Sequence, residues 1–445
     1  MTDLLSNAGF YVLKSAVLYP LYPDEQRAKS ASLPDFVDIT KVVTNWTLSE
    51  SMDSPFLTGT MKLVEGDNLI EDLPIRGEEK LEVTYTDFYG EVETHEFIVY
   101  SIEDVSPASS GNDRTMKYTL NFTTEDKLFS DTKEIKRSFS KIRISDMARI
   151  IFDDYYMGSS KELEIEHTDG EQTLVIPNLR PDAAMQFLSR RAYSSDSKSS
   201  LFKFFETREK YYFCTHEYLI KKDRANKGKT EEEINRHIFN YSVLNDNTGP
   251  GQIRAQQSIN NINFGGHVDS FSDMKQGTIR RRVTELDLVN RTRVTRAYDY
   301  SIESDGYDYP EPIKTTHSSA FISSFMPFGS AHETTLIADF PQIGQNEGEQ
   351  YMQKPYQHYF ENYTSKPTTD YHLQANAFGL SIHGQHAIRV GDIIELNLYK
   401  LSHSLQGTRE KDKQRSGKYL VLSNVHSFDG DIYTSILAVT KGGLS

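Results

Sequence analysis

The sequence predicts a mainly β protein with an α+β insert: two antiparallel β-barrels, plus a mixed helix and strand domain. Three observations predict it. The apolar content rests on 26 Tyr, 24 Phe and β-branched residues, with Trp46 the single tryptophan, a composition that favours strands. Short apolar runs separated by turn residues recur in both terminal parts. Helical spacing is confined to a stretch near the middle.

Between residues 37 and 130 the expected strands are Val37 to Val43, Thr58 to Val64, Leu81 to Thr86, Thr94 to Ile102 and Lys117 to Thr123. Glu65-Gly66-Asp67-Asn68, Phe88-Tyr89-Gly90 and Pro107 to Asp113 punctuate them. Alternation in Glu96 to Ile102 and Met116 to Phe122 gives each strand one buried face. Such spacing suits a closed or nearly closed barrel.

The period then changes. Ser145-Asp146 is a capping signal for a helix whose Met147, Ile150, Ile151 and Tyr155 share a face. Pro181 suits the first turn of a second helix reaching Arg191. Leu201 to Phe205 and Tyr211 to Leu219 read as a hairpin across Thr207-Arg208-Glu209-Lys210, and Lys221 to Arg236 as a charged loop or short helix. Strand character returns from Gly251 to Ala297, with Gly265-Gly266 permitting a bend. Residues 298–372 are rich in Tyr, Pro, Ser and Asp without clear periodicity, and read as an extended excursion. The final strands are Phe378 to Ile382, Ile393 to Tyr399, Tyr419 to His426 and Ile432 to Thr440. Asp429-Gly430 is a tight hairpin signal, and Ser402 to Gly417 should be an exposed loop.

The expected organisation is therefore a first barrel at 1–130, a mixed insert at 131–236, the first strands of a second barrel at 237–297, an excursion packed on the insert at 298–372, and the rest of the second barrel at 373–445. A chain of 445 residues has room for two to four domains. The two strand-rich ends could be diverged copies of one barrel.

Composition excludes several classes. No apolar run reaches the roughly 18 residues a membrane helix needs, and Met1 to Pro20 lacks the features of a secretory leader. Five Asn-x-Ser/Thr sequons, at Asn45, Asn121, Asn240, Asn290 and Asn362, are accordingly read as chance. Cys214 is the single cysteine, which rules out an intrachain disulfide and a thiolate cluster; its aromatic neighbours suggest an inert buried thiol. A net charge of −15 disfavours nonspecific nucleic-acid binding.

Catalytic motifs fail one by one. His95-Glu96, His216-Glu217 and His332-Glu333 would need a second histidine four residues after the first, where Val99, Ile220 and Leu336 stand. His383 and His386 are three apart at a strand end, so on a regular strand they point to opposite faces. Gly379-Leu380-Ser381-Ile382-His383 lacks the closing glycine of a hydrolase elbow. Gly265-Gly266-His267 lacks the lysine of a phosphate loop. Asp153 and Asp154 are adjacent on a helix and diverge. No catalytic residue, metal ligand or cofactor site is expected.

One electrostatic feature stands apart. Lys275, Arg280, Arg281, Arg282, Arg291, Arg293 and Arg296, against Glu285 and Asp287, give this stretch a net of +5 and leave −20 on the rest of the chain. It reads as a solvated strand face, a subunit interface or a nucleic-acid contact, and the lack of interleaved aromatics counts against the last.

The order barrel, insert, barrel resembles the central hub of T4-type phage baseplates and the N-terminal hub part of type VI secretion spike proteins. The carrying segments are Val37 to Phe129 with Ile102 to Val105, Ile176-Pro177-Asn178-Leu179 with the following helix and hairpin, and Gly391 to Ile394, Gly417 to Val421, Val425-His426 and Tyr433 to Val439. The resemblance implies a non-enzymatic homotrimer of tube-like barrels, matching the six-fold tail tube at one end and a trimeric central spike at the other. Its partners would be itself, the spike, the tube protein and other baseplate proteins. DNA would only pass through the channel, and the site would be the virion tail, assembled in the host cytoplasm. The sequence ends at Ser445 without a following spike domain, which favours a spike on a separate polypeptide. The alternatives are a peripheral or receptor-binding baseplate protein and a tail-associated cell-wall hydrolase.

Overall fold

A computed structural model describes residues 7–21, 35–66, 69, 77–109, 112–155, 159, 161–197, 199–224, 231–241, 249–263, 280–287, 291–299, 332–337, 359–375, 377–400, 411–413 and 415–441. The chain is mainly β, with large antiparallel sheets and few helices.

In chain order the first strands are β1 (Val12–Tyr19), β2 (Val37–Asp38), β3 (Val43–Ser51), β4 (Thr58–Glu65), β5 (Lys80–Thr86), β6 (Val92–Ser109) and β7 (Asn112–Thr123). The insert follows as α1 (Glu125–Thr132), β8 (Ile135–Arg143), α2 (Ile144–Tyr155), β9 (Leu163–Ile165), β10 (Glu171–Leu179), α3 (Pro181–Ser189), β11 (Phe202–Glu206), β12 (Tyr211–Thr215), α4 (His216–Arg224) and α5 (Glu231–Arg236). Then come β13 (Ile238–Asn240), α6 (Gly249–Gln256), β14 (Ile259–Asn263), β15 (Arg280–Asp287), β16 (Thr292–Asp299), β17 (His332–Ile337), α7 (Tyr359–Tyr363) and α8 (Ser365–Ala375). The last strands are β18 (Ala377–His383), β19 (Ile393–Asn397), β20 (Gly417–Asp429) and β21 (Ile432–Thr440).

The strand pairings close two rings that share one hairpin. From β3 the first ring runs through β4, β7, β6 and β5 to β1. Residues just ahead of β1 then pair with the start of β21, Tyr11 N donating to Asp431 O at 3.2 Å and Tyr433 N to Gly9 O at 2.7 Å. Pairing of β21 with β20 and of β20 with β3 completes the circuit. The second ring runs β20, β21, β18, β14 and returns through β13 and β19. It closes where Asn240 N donates to Gln257 O at 3.0 Å, just ahead of β14. β20 changes partners along its length: Gly417 to Leu420 face β19, and Ser423 to Asp429 face β3. An irregularity in its register with β21 falls between, at Val421/Ser423, as expected where a strand must bend.

Each ring encloses an apolar core. The first holds Trp46, Leu48, Met61, Val83, Tyr85, Phe97, Leu120 and Phe122, and takes Phe428 and Tyr433 from the shared hairpin. Phe428 stacks on Trp46 at 3.8 Å between centroids and on Tyr433 at 4.3 Å, so the C-terminal hairpin is part of the first core. The second holds Phe239, Ile259, Leu380, Ile382, Ile394, Leu396, Leu437 and Val439. A third core, in the insert, packs α2 and α3 on β8–β12 through Met147, Ile151, Ile176, Leu188, Phe202 and Phe213. Cys214 lies buried with Met52, Phe205, Leu219, Ile393 and Leu420, where insert and second ring meet; burial holds its thiol well above the ordinary range.

Several expectations need correction. The second hairpin strand ends at Thr215, not Leu219, because the Thr215 hydroxyl accepts the Tyr218 N–H at 3.2 Å and starts α4. The segment from Gly251 is first helical: in α6, Gln252 and Gln256 lie one turn apart and accept the N–H groups of Ala8 and Gly9. Ser145 falls inside the first turn of α2, its N–H donating to Thr168 Oγ1 at 3.0 Å. The region after residue 298 contains β17 and helices α7 and α8. Their periodicity is weak because, beside Leu373, the described buried positions are Thr364, Ser365, Thr368 and Thr369, and the hydroxyls of Thr364 and Thr368 bond back to carbonyls four residues earlier. Most of Ser402 to Gly417 lies outside the described residues.

Candidate functional site

The three cores meet at a buried cluster of charged groups organised by Arg208. The β11–β12 turn presents this residue, and the turn is pinned by Thr207, whose N–H and hydroxyl both donate to Lys210 O at 2.9 Å. The guanidinium uses all its edges. Nε donates to Glu50 at the end of β3, and Nη1 to Glu93 Oε2 on β6 at 2.8 Å. Nη2 donates to the carbonyls of His386 and Ile388, at 3.0 and 2.9 Å, in the loop between β18 and β19. One side chain from the insert thus ties both rings together.

A relay extends from it. His426 Nε2 contacts Glu50 Oε1 at 3.1 Å, and its Nδ1 contacts the Tyr433 hydroxyl at 2.6 Å. Tyr85 donates to Glu93 Oε2 at 3.1 Å, and His95 Nε2 lies 3.0 Å from the same oxygen. Burial works to raise the Glu50 carboxyl, but Arg208 and His426 outweigh it and hold it at about 2. Glu93 is likewise held far below the carboxylate range, Arg208 overcoming burial. Burial lowers both His426 and His386, the latter to about 3, so both are neutral at pH 7.

Beside the relay, the β5–β6 turn meets the β18–β19 loop. Asp87 Oδ1 accepts the N–H groups of Tyr89 and Glu91, each at 3.0 Å, and its Oδ2 accepts the His386 N–H at 3.1 Å. Arg236 Nη1 reaches Glu91 Oε1 at 2.6 Å. Asp87, Glu91 and His386 each present a ligand atom within 4.8 Å of the others. Gly384 is required here, since a Cβ would fall 2.2 Å from the Tyr433 ring.

Two further polar ties anchor the insert. Glu206 accepts from Leu57 N, Thr124 Oγ1 and Lys161 Nζ, at 2.8, 2.9 and 2.6 Å. On the opposite side α8 packs on the insert, Lys366 Nζ donating to Ser189 O at 2.7 Å and Lys203 bridging Asp53 and Asp370. Between them lies a cleft of about 620 Å³ lined by Arg190, Lys203, Arg281, Lys366, Asp53 and Asp370.

The basic stripe does not form one face. Lys275 lies outside the described residues. Arg280, Arg281 and Arg282 are on β15, Arg293 and Arg296 on β16, and Arg291 in the turn between them. In the antiparallel register Arg282 opposes Ala297 and Leu286 opposes Arg293, while Val283 opposes Arg296. Positions 280, 282 and 293 therefore share one face, and 281 and 296 the other. On the latter, Arg281 donates to Tyr363 O at 3.0 Å and Arg296 lies 5.5 Å from the Phe360 ring centroid.

Of the histidine pairs, His95 engages Glu93 rather than its neighbour Glu96, and His216 is buried at the start of α4 and held near 3 by burial and Lys203. His383 packs against Gly9, whereas His386 faces Glu93. Asp154 is engaged by Arg137. Sequence reasoning missed Arg208 as an organiser. Its one signal is a charged residue in a tight turn, and the inward Glu50 and His426 look like solvent-facing positions until the ring is closed.

No family model matches the chain, and no curated protein matches it. Among solved structures, the tail protein from Neisseria meningitidis MC58 superposes with a TM-score of 0.52 at 8% identity over 98% of both chains. The 43 kDa tail protein of prophage MuSo2 from Shewanella oneidensis gives 0.46 at 10% identity, over 96% of this chain and 98% of that one. The E. coli c3393 protein, described as a type VI secretion component similar in structure to T4 tail proteins gp27 and gp5, gives 0.45 at 7% identity, over 91% and 75%. The chain has the fold of the Neisseria tail protein along nearly its whole length.

Proposed function

We propose that the chain is a structural hub of a contractile tail baseplate. Three copies form a ring that adapts a six-fold tube to a trimeric central spike and lines part of the ejection channel. The observation that carries this reading is the pair of closed strand rings sharing β20 and β21. One chain then offers two barrel units in a fixed mutual orientation, and three such chains give six units around an axis, which converts three-fold into approximate six-fold symmetry. The charged junction supports it further, because an adaptor must keep its two units from rotating against each other, and Arg208 bonds to both. The tail-protein fold is consistent with this role. Its site is the virion tail and its partners are a spike, a tube protein and neighbouring baseplate proteins, with DNA in transit only.

Light scattering coupled to size exclusion tests the reading directly. The expected mass is three times the 50.9 kDa chain, with a central channel in projection images. A protein that stays monomeric at high concentration and lies off the tail axis in assembled particles overturns it.

A further inference from the structure

We propose that Asp87, Glu91 and His386 bind one divalent first-row cation of the Zn²⁺ class, clamping the β5–β6 turn of the first ring to the β18–β19 loop of the second. The three residues come from distant parts of the chain and present ligand atoms within 4.8 Å of one another. His386 is 2% exposed, and neither of its ring nitrogens has a hydrogen-bond partner among the described residues. An imidazole buried with both nitrogens unsatisfied is costly, and a metal bond to one of them removes that cost.

Charge points the same way. Around the junction, Glu50, Asp87, Glu91 and Glu93 face Arg208 and Arg236, with two more negative than positive groups. A dication balances that difference. Two carboxylates and one imidazole form a mixed oxygen and nitrogen set, which suits Zn²⁺ or Mn²⁺ better than Mg²⁺ or a thiolate-seeking ion.

The support around the ligands is already built. Asp87 is fixed by three backbone N–H groups, one of them from His386 itself. Arg236 holds Glu91 Oε1 and leaves Oε2 to turn inward. Ligand atoms around a tetrahedral ion at about 2.1 Å lie roughly 3.4 Å apart. Glu91, half-buried and on a turn, supplies most of the movement of about 1 Å that closure needs.

The test uses the full chain stripped with chelator, dialysed against Zn²⁺ and freed of excess ion. We expect one Zn²⁺ per chain by elemental analysis and a rise of about 2–5 °C in the melting temperature. Glu91→Gln and His386→Gln should each lower affinity at least tenfold. Should His386→Gln misfold, Glu91→Gln decides, because its position tolerates the change. No bound Zn²⁺ in the wild-type chain, or equal binding by both variants, overturns the proposal. The outcome is independent of oligomeric state, so it stands or falls apart from the hub reading.

Discussion

Arg208 and Glu50 form an ion pair in which neither side chain reaches solvent, with 1% and 0% exposure, although 158 positions separate them in sequence. Breaking a buried pair by removing one partner leaves an uncompensated charge, which costs about 3–5 kcal/mol. Arg208→Met strands both Glu50 and Glu93 and should destabilise the chain by that amount in urea titration. Adding Glu50→Gln and Glu93→Gln should recover a large part of the loss. If the single variant unfolds at the wild-type midpoint, Arg208 does not hold the rings together.

Buried ionisable groups on both sides of the insert predict acid lability. Glu50 has a folded value of about 2, below its unfolded value, so its stabilisation is complete above about pH 4.5 and is lost as pH falls toward 2. His216 sits near 3 because burial, then Lys203, disfavours its cation. The unfolded chain therefore binds that proton first, and stability falls from about pH 6.5 downward. At full titration the shifts correspond to about 3 kcal/mol for Glu50 and about 5 kcal/mol for His216. His216→Asn should make the limb between pH 6 and 4 shallower without abolishing it, because burial also holds His386 near 3, and should leave the lower limb to the carboxylates that Arg208 holds down. A stability curve unchanged by that substitution would argue against a buried neutral His216.

Lys366 titrates with the opposite consequence. Burial, then Lys203, lowers its ammonium to about 7, so between about pH 7 and 10.5 the unfolded chain holds a proton that the folded chain lacks. Stability should rise across that window. Lys366→Met should stabilise the chain by on the order of 1–3 kcal/mol at pH 6 and remove the slope. Chemical denaturation at three pH values reads both effects.

These groups also mark where the sequence is legible. The strands of both rings are readable because Val, Ile, Phe and Tyr alternate with polar residues, as in β18 and β21. β3 escapes because its inward positions are Trp46, Leu48 and Glu50, and a buried carboxylate breaks an apolar pattern. α8 escapes for a related reason: it buries Thr368 and Thr369 where apolar residues would mark a face, and the Thr368 hydroxyl is satisfied by the Thr364 carbonyl one turn earlier. The sharing of β20 between rings depends on pairing over hundreds of positions, which no local window contains.

Packing across the shared hairpin is testable by a single truncation. Phe428 lies between Trp46 and Tyr433, and is fully buried. Phe428→Ala should cost about 3–5 kcal/mol and loosen β20 from β3. Gly384→Ala, which drives a methyl into the Tyr433 ring, should cost roughly 1–3 kcal/mol. Hydrogen exchange should show both losses first at Ser423 to Asp429, and protection there equal to wild type would mean that the hairpin is held by the second ring alone.

The two faces of the β15–β16 ribbon separate assembly from folding. Arg282 and Arg293 share the face away from α7, whereas Arg281 and Arg296 contact Tyr363 and Phe360. If the stripe docks an acidic neighbour, Arg282→Glu with Arg293→Glu should weaken self-association at least tenfold. Arg296→Glu should leave association nearly unchanged, and the cation–π contact with Phe360 that it loses is worth about 0.5–1 kcal/mol. The salt dependence supplies the control, because a docking face made of exposed charges weakens as ionic strength rises. Self-association that is insensitive both to the double reversal and to salt would return the stripe to a solvated strand face and move the subunit contact elsewhere on the rings.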